Sequence, residues 1–255
     1  MTRRPSNPVR RHAAALAAAA LAIAAPAPHA APAAAAPEAS VAARFDVHFG
    51  GIRAGEVSVT LSEDGRRYSI VSRAVTAGIV GAFYDAAYDA QAQGALAPAP
   101  KPEAFRAVGD FGGKRQQVEI AFGPLAPREV KADPPFKPKP YEIDPAVQIG
   151  VLDPLSAAAT VLRPAPIANI CPRSLDIFDG RRRAQITLGP PTRRDSGELR
   201  CHGRFKRVAG YRPKDMKSPD IAFSLDFEDQ PTGAARLRRV TVDTGWGLLV
   251  ALRRD

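Results

Sequence analysis

The chain has 255 residues and a formal net charge of +10, with 24% charged and 45% hydrophobic residues, the balance of a folded protein rather than a disordered one. Two Cys cannot build a four-thiolate zinc site, and 4 His leave little for metal or general-base chemistry. The basic excess comes from 28 Arg against 8 Lys.

The first residues carry Arg3, Arg4, Arg10 and Arg11 and no acid, then an apolar run from Ala13 to Ala25, then small residues and prolines to Ala36. A basic head, an apolar stretch of about 7–15 residues and a small-residue exit form the pattern of a secretory signal peptide; crossing a bilayer takes about 20 apolar residues. Residues 1–36 are therefore expected to be a leader, cut after Ala30, Ala33 or Ala36. Residues 37–255 are expected to be a single β-rich domain with no transmembrane segment. The Ala, Arg and Pro bias fits a GC-rich bacterial genome, and with export it points to a Gram-negative periplasm. Without the leader the net charge falls to +6, and only His48 and His202 remain.

Residues 37–43 read as a frayed start. From Arg44 the pattern is short alternating runs broken by turn residues, the mark of an antiparallel β protein. Val57, Val59 and Leu61 alternate with Ser58, Thr60 and Ser62, Asp64-Gly65 supplies a tight turn, and Tyr68 to Val75 returns as the partner. Ala86 to Ala95, Ala104 to Phe111 and Gln116 to Phe122 read as further strands, with Gly112-Gly113 as a hairpin turn. Between the strands lies the apolar, Gly-flanked stretch containing Ile79, Val80, Phe83 and Tyr84, a candidate mouth for a greasy ligand or a plug for one end of a barrel. Five prolines in residues 133–145 forbid ladder bonding there and mark a crossing loop. One helix is expected over 153–162: Asp153 caps it, Pro154 suits its first turn, and Arg163-Pro164 ends it. Strands then resume over 174–178, 184–188, 198–208, 221–227, 236–242 and 246–252. Strands on both sides of one short helix, without βα alternation, exclude a Rossmann or TIM architecture.

Cys171 and Cys201 lie 30 residues apart, and in an exported chain they are expected to form one disulfide. In a flat meander Cys201 would sit two strands from Cys171, about 9–10 Å away, whereas a disulfide needs Cα atoms within about 4.4–6.8 Å. Either the Cys171 segment folds over the sheet, or the Cys201 strand does not neighbour the 184–188 strand, or the sheet is strongly curved.

Charge is uneven: residues 37–162 carry 13 basic and 15 acidic groups, residues 163–255 carry 19 and 11. For Arg200, His202, Arg204 and Lys206 the simplest reading is cross-strand pairing, Arg200 with Glu228 and His202 with Asp226. Arg181, Arg182, Arg183, Arg193 and Arg194 show no acids opposite them and are the candidates for a surface that holds an anionic envelope component. Nucleic acid does not fit, because aromatics are not interleaved with the basic residues.

No nucleophile elbow, zinc-protease motif, calcium loop or phosphate loop occurs. A serine triad would need His48 or His202. Asp144, Asp153, Asp176 and Asp179 cluster in sequence and offer carboxylates for a glycosidase pair, but Asp153 already serves as a cap and Asp179 as a turn residue. No catalytic residue, metal or cofactor is assigned.

Phe49-Gly-Gly-Ile-Arg-Ala-Gly55, Ala77-Gly-Ile-Val-Gly81, Asp153-Pro-Leu-Ser156, Cys171 with Phe178-Asp-Gly-Arg-Arg182, and Cys201 with Arg207-Val-Ala-Gly-Tyr211 occur in that order. Together they resemble the domain-of-unknown-function family 3108, exported proteins of Gram-negative bacteria, over about residues 42–255. The resemblance implies a β-rich envelope protein without an assigned reaction. In layout the chain is also similar to alphaproteobacterial envelope-integrity proteins that form a curved β-spiral held by a disulfide. The expected fold is all-β, a strongly curved antiparallel sheet (barrel, half-barrel or spiral) with one short helix and one disulfide. The expected function is non-catalytic support of the envelope from the periplasm, with a lipidic or anionic component held in the concave face. The alternatives are a protein–protein scaffold in the envelope and a glycan or lipid hydrolase using carboxylates.

Overall fold

The computed structural model describes residues 39–96 and 99–254; the expected leader and its cleavage sites lie outside them. The strands are β1 (Ala39–Phe49), β2 (Ile52–Glu63), β3 (Arg67–Thr76), β4 (Ala86–Ala95), β5 (Lys101–Phe111), β6 (Lys114–Phe122), β7 (Pro127–Asp133), β8 (Arg173–Phe178), β9 (Arg183–Arg193), β10 (Leu199–Ala209), β11 (Ile221–Asp229), β12 (Ala235–Asp243) and β13 (Leu248–Arg253). Three short α-helices interrupt them: α1 (Gly78–Phe83), α2 (Pro154–Leu162) and α3 (Pro213–Met216). One helix was expected, and it is α2. The other two are too short to carry apolar periodicity and replace what reads as loop.

All thirteen strands form one antiparallel sheet in the order β7-β6-β5-β4-β3-β2-β1-β13-β12-β11-β10-β9-β8. The two chain halves meet at the β1–β13 pair, where Phe45 lies opposite Arg253. No ladder joins the edges β7 and β8, so the sheet is curved but unclosed. Instead the β8–β9 turn tucks inside the opposite edge. Gly180 (φ +94°) lies so close that a Cβ there would sit 2.7 Å from Val118 Cγ1 and 3.7 Å from Ile120 Cδ1. The exposed edge of β8 is covered by Leu152, whose N–H donates to the Asp176 carbonyl and whose carbonyl accepts from Phe178 N–H.

Residues 39–43 are not frayed. Val41, Ala43 and Phe45 pair with Leu61, Val59 and Val57 along β2, and Ala43 and Phe45 are buried; the small Ala residues hide the alternation. Strand β7 reads as loop because Pro127, Arg128, Glu129 and Lys131 dilute it, yet it is an edge strand, where proline and charge belong. Strand β9 continues past Leu188 through Gly189-Pro190-Pro191. Strand β8 pairs only as far as Leu188, so on that side the prolines face an open edge, and on the other the β9–β10 register shifts beside them, between Cys201 and Gly203.

Helix α2 begins and ends at the expected residues. Asp153 Oδ1 accepts from the N–H groups of Leu155 and Ser156, both at 2.9 Å. The helix packs inside the curve of the sheet, against β3, β4 and β5 on one side and β8 and β12 on the other. The core gathers there, with Leu61, Tyr68, Ile70, Phe105 and Ile120 from the first half and Ile170, Phe178 and Phe227 from the second.

The disulfide joins Cys171 to Cys201 with Cα atoms 6.3 Å apart. The meander is real, since β10 does neighbour β9. Cys171 reaches it because it follows a 3-10 turn, Ile167–Asn169, off the sheet, before β8 begins at Arg173. Of the three geometries open from the sequence, the off-sheet segment and the curved sheet are both present, and the one in which β10 does not neighbour β9 is not.

Candidate functional site

Between α2 and the inner face of β8–β12 the packing stops short, leaving an open cavity of about 540 Å³, within the 300–1,000 Å³ range of small-molecule sites. Its sheet wall follows from period two. Leu175 lies opposite Ile186, Ile186 opposite Phe205, and Phe205 opposite Ile221; Leu188, Phe223 and Val242 form the next row. The other wall is Pro154, Ala157, Ala158 and Val161 of α2. These are short side chains facing a broad sheet, which is why the space is not filled. At Gly203 a Cβ would lie 2.2 Å from Phe223 Cζ, so the ring lies over the glycine and lines the cavity.

Polar groups occur at one end only, where Asp179, Arg182 and Tyr211 reach the cavity. They come from the β8–β9 turn and the β10–β11 connection, which press together at Gly210 (φ +81°). A Cβ there would meet the Arg181 carbonyl oxygen at 2.4 Å. The Arg182 guanidinium lies over the Tyr211 ring, 5.5 Å from its centroid, a cation–π distance. Arg207 continues the inward face of Cys201, Gly203 and Phe205 and donates to the Pro219 carbonyl at 3.0 Å. Burial raises the Tyr211 phenol above its usual range and Asp179 adds to this, while Arg182 and Arg207 both pull it down. Asp179 is engaged locally, its Oδ1 accepting from the N–H groups of Arg181 and Arg182 at 2.9 and 2.7 Å.

The basic candidates do not form one surface, and the expectation that they lack acidic partners is corrected. Arg183 pairs with Asp176 at 3.2 Å, Arg193 with Asp229 at 3.2 Å, and Arg194 with Glu198 at 3.3 Å and Asp226 at 3.5 Å. Arg181 stacks over Phe136, 4.9 Å from the ring centroid, and donates to the Lys137 carbonyl, so it seals the seam where the β8–β9 turn meets the crossing loop. Arg193 and Arg194 lie at the opposite end of the strands from Arg181, Arg182 and Arg183. Only Arg182 reaches the cavity. The ridge on β10 does pair across strands, but two residues out of the expected register. Arg200 lies opposite Asp226 and grips it with two bonds of 2.6 and 2.7 Å, and His202 lies opposite Ser224. Glu228 pairs with Arg236 and Arg238 instead.

Ile79, Val80, Phe83 and Tyr84 lie on and just after α1, which buries none of its residues and does not line the cavity. Phe83 is 88% exposed and Trp246, in the β12–β13 turn, 92%. Both turns lie at the same end of the strands as Arg182 and Tyr211, by the alternation of the antiparallel order.

The carboxylates have structural partners. Asp144 caps a 3-10 turn through Ala146 N–H, and Asp176 pairs with Arg183. Asp153 is fully buried, and burial pushes its carboxyl up to about 6 against the hydrogen bonds from Ser156 and Leu155. Ser156 Oγ donates to Asp153 Oδ2 and shares a 2.6 Å hydrogen bond with the Tyr68 hydroxyl. His48 and His202 lie on β1 and β10, four strand positions apart, roughly 19 Å at normal spacing, so they cannot act together. Among the described residues no cluster of three His, Cys, Asp or Glu is placed to hold a metal.

No curated protein matches the chain. A solved structure, a β-barrel-like protein of domain of unknown function DUF1849 from Brucella abortus, is similar with a TM-score of 0.48 at 15% identity, covering 86% of this chain and 95% of that one. The family model described as Protein of unknown function (DUF3108) matches residues 44–207. The match runs from within β1 through most of β10, with α2 and both cysteines, and stops before Tyr211 and the β11–β12 wall. The chain therefore belongs to the DUF3108 family.

Proposed function

We propose that the protein is a non-catalytic binding protein of the periplasm that shelters the apolar chain of a lipidic envelope component in the concave face of its sheet. The observation that carries this is the cavity between α2 and β8–β12, of about 540 Å³ and lined almost wholly by aliphatic and aromatic side chains. An apolar chain moved there from water gains roughly 0.8 kcal/mol per buried CH₂. Export is supported by the leader pattern of residues 1–36 and by a disulfide of the kind kept in oxidising compartments.

The test is native mass spectrometry of the oxidised protein purified from its own periplasm. A lipid-sized adduct is expected, and Ala158→Trp, which fills the space under α2, should remove it. Wild-type protein that carries no adduct and takes up no neutral apolar dye would overturn the reading.

A second reading, a protein–protein scaffold, draws support from the exposed Phe83 and Trp246 at the strand ends. It predicts that an envelope protein crosslinks at those two positions and that Ala158→Trp leaves the crosslink intact.

A further inference from the structure

We infer that the ligand is a single-chain amphiphile with an anionic head, carboxylate or phosphate, lodged tail-inward with its head at Arg182 and Arg207 beside Tyr211. This rests on the apolar-chain reading above and specifies which molecule fits it.

The cavity is asymmetric. Its walls offer no hydrogen-bond partner along their length, and its polar groups converge at one end. A ligand with a polar group in the middle would leave that group unpaired inside, at a cost. A ligand with a polar group at one terminus has one orientation that satisfies it.

The charge at that end is set by what is already engaged. Asp179, the acid there, is turned toward backbone N–H groups of its own turn. Among the described residues Arg182 forms no ion pair with a carboxylate, whereas its neighbours Arg181 and Arg183 do, at 3.8 and 3.2 Å. It is exposed, and its guanidinium is positioned by stacking on Tyr211 rather than by an acid. Arg207 is the one basic residue of β10 on the inward face, beside the same tyrosine; it donates to the neutral Pro219 carbonyl, and the acid whose charge it meets, Asp215, is gripped by Arg212 with bonds of 2.7 and 3.1 Å. Arg182 and Tyr211 at the open end of an apolar cavity, with Arg207 just beyond its lining and close enough to act on the Tyr211 phenol, make an end that accepts an anion. Both guanidinium groups donate only, and each is free to add bonds to a carboxylate or phosphate oxygen.

The position also fits an amphiphile entering from outside. Arg182 lies at the rim with the long side chain in solvent, so it meets a charged head without desolvating it fully.

The test uses the oxidised chain loaded with N-phenyl-1-naphthylamine, a neutral apolar dye, and measures its displacement by dodecanoate, dodecyl phosphate, dodecan-1-ol and inorganic phosphate. Dodecanoate and dodecyl phosphate should displace the dye at concentrations about tenfold or more below dodecan-1-ol, the scale of one charge-assisted hydrogen bond. Inorganic phosphate should not displace it. Arg182→Gln, an exposed position where folding is not at stake, should cut the preference, and Arg182→Gln with Arg207→Gln should bring acid and alcohol within about twofold. Arg182→Lys should keep most of the preference. If the alcohol displaces as well as the acid, or the preference survives the double variant, the head assignment is overturned while dye binding leaves the cavity reading standing. If inorganic phosphate raises the melting temperature as much as dodecyl phosphate does, and Arg182→Gln abolishes both effects, the site is for a free anion and the amphiphile assignment is overturned. If neither dye nor any amphiphile binds the wild type, the cavity reading fails and the head assignment fails with it.

Discussion

In β1 to β6 the inward side chains Val59, Leu61, Tyr68, Ile70, Phe105 and Ile120 meet α2 and each other and exclude solvent. In β9 to β12 the inward side chains Ile186, Phe205, Phe223 and Val242 follow the same alternation and the same pleat, yet they are only half-buried and line an open space. The two halves share one helix. Toward β3 it presents Ser156, which bonds the Tyr68 hydroxyl, and toward the second half it presents Ala157, Ala158 and Val161. Patterning therefore builds both halves of the sheet, while side-chain size on a nine-residue helix decides which half is solid and which is hollow.

The largest contrast should come from truncation. Ile70→Ala removes a fully buried side chain from the solid half and should cost about 2–5 kcal/mol in denaturant unfolding. Ile186→Ala in the hollow half should cost no more than about 1.5 kcal/mol, because part of that side chain already borders open space. Equal losses would mean the cavity closes in solution.

The disulfide sharpens the comparison next. Both sulfurs are fully buried, and the bond ties the entry to β8 to β10 within the hollow half. The chain-entropy model assigns a loop of this size roughly 3.5–4 kcal/mol. Cys171→Ala with Cys201→Ala should lower stability by about that amount, and amide exchange should quicken in β8–β10 while β2–β5 stay protected until global unfolding. Uniform loss of protection across all thirteen strands would show that the halves unfold as one.

What could be read beforehand follows the same division. The bounds of α2 were legible because Asp153-Pro154 and Arg163-Pro164 are local signals, and the Asp64-Gly65 and Asp179-Gly180 turns for the same reason. The cysteine spacing was legible as a distance that a flat meander cannot meet. The β10–β11 register was not, since eleven connecting residues, some wound into α3, leave the pairing two residues uncertain. Arg207 could have been found: Leu199, Cys201 and Phe205 share the inward face, and Arg207 is the next residue on it. Arg182 was singled out with four neighbours from which only tertiary contacts separate it. The cavity itself had no signal, because an unfilled volume depends on how far α2 stands from strands distant in sequence, a tertiary distance that no local pattern encodes.

Asp153 sits where the two halves meet and gives a pH test of their shared helix. Its carboxyl is raised by burial to about 6 from an ordinary 3.8. The folded chain therefore holds this proton more tightly than the unfolded chain. The group's contribution to stability is fully present below about pH 4 and is lost as pH rises to about 6, by no more than about 3 kcal/mol. Asp153→Asn keeps an acceptor for the Leu155 and Ser156 N–H groups and cannot ionise. Measured against it from pH 4 to pH 7, the wild type should lose stability progressively. Parallel curves would show that the charge is stabilised by contacts beyond the Ser156 and Leu155 bonds.

The smallest effect is the most discriminating, because the same substitution should change sign between the halves. Ala92 lies in the solid half, between Ile70 and Phe105 on neighbouring strands, with 3% of its surface exposed. Ala92→Leu forces three methylene-sized groups into filled space and should cost about 1–3 kcal/mol. Ala158 faces the cavity from α2. Ala158→Leu adds the same atoms to open space on a residue with good helix propensity and should be neutral or stabilise by up to about 1 kcal/mol. If the cavity is a binding site, that stabilisation is obtained at the expense of the ligand, so Ala158→Leu should weaken displacement of the neutral dye by dodecanoate while unfolding at equal or higher denaturant. A variant that is more stable and still binds would place the ligand elsewhere on the sheet. A variant that is destabilised as much as Ala92→Leu would show that α2 lies closer to β8–β12 in solution and that the two halves are packed alike.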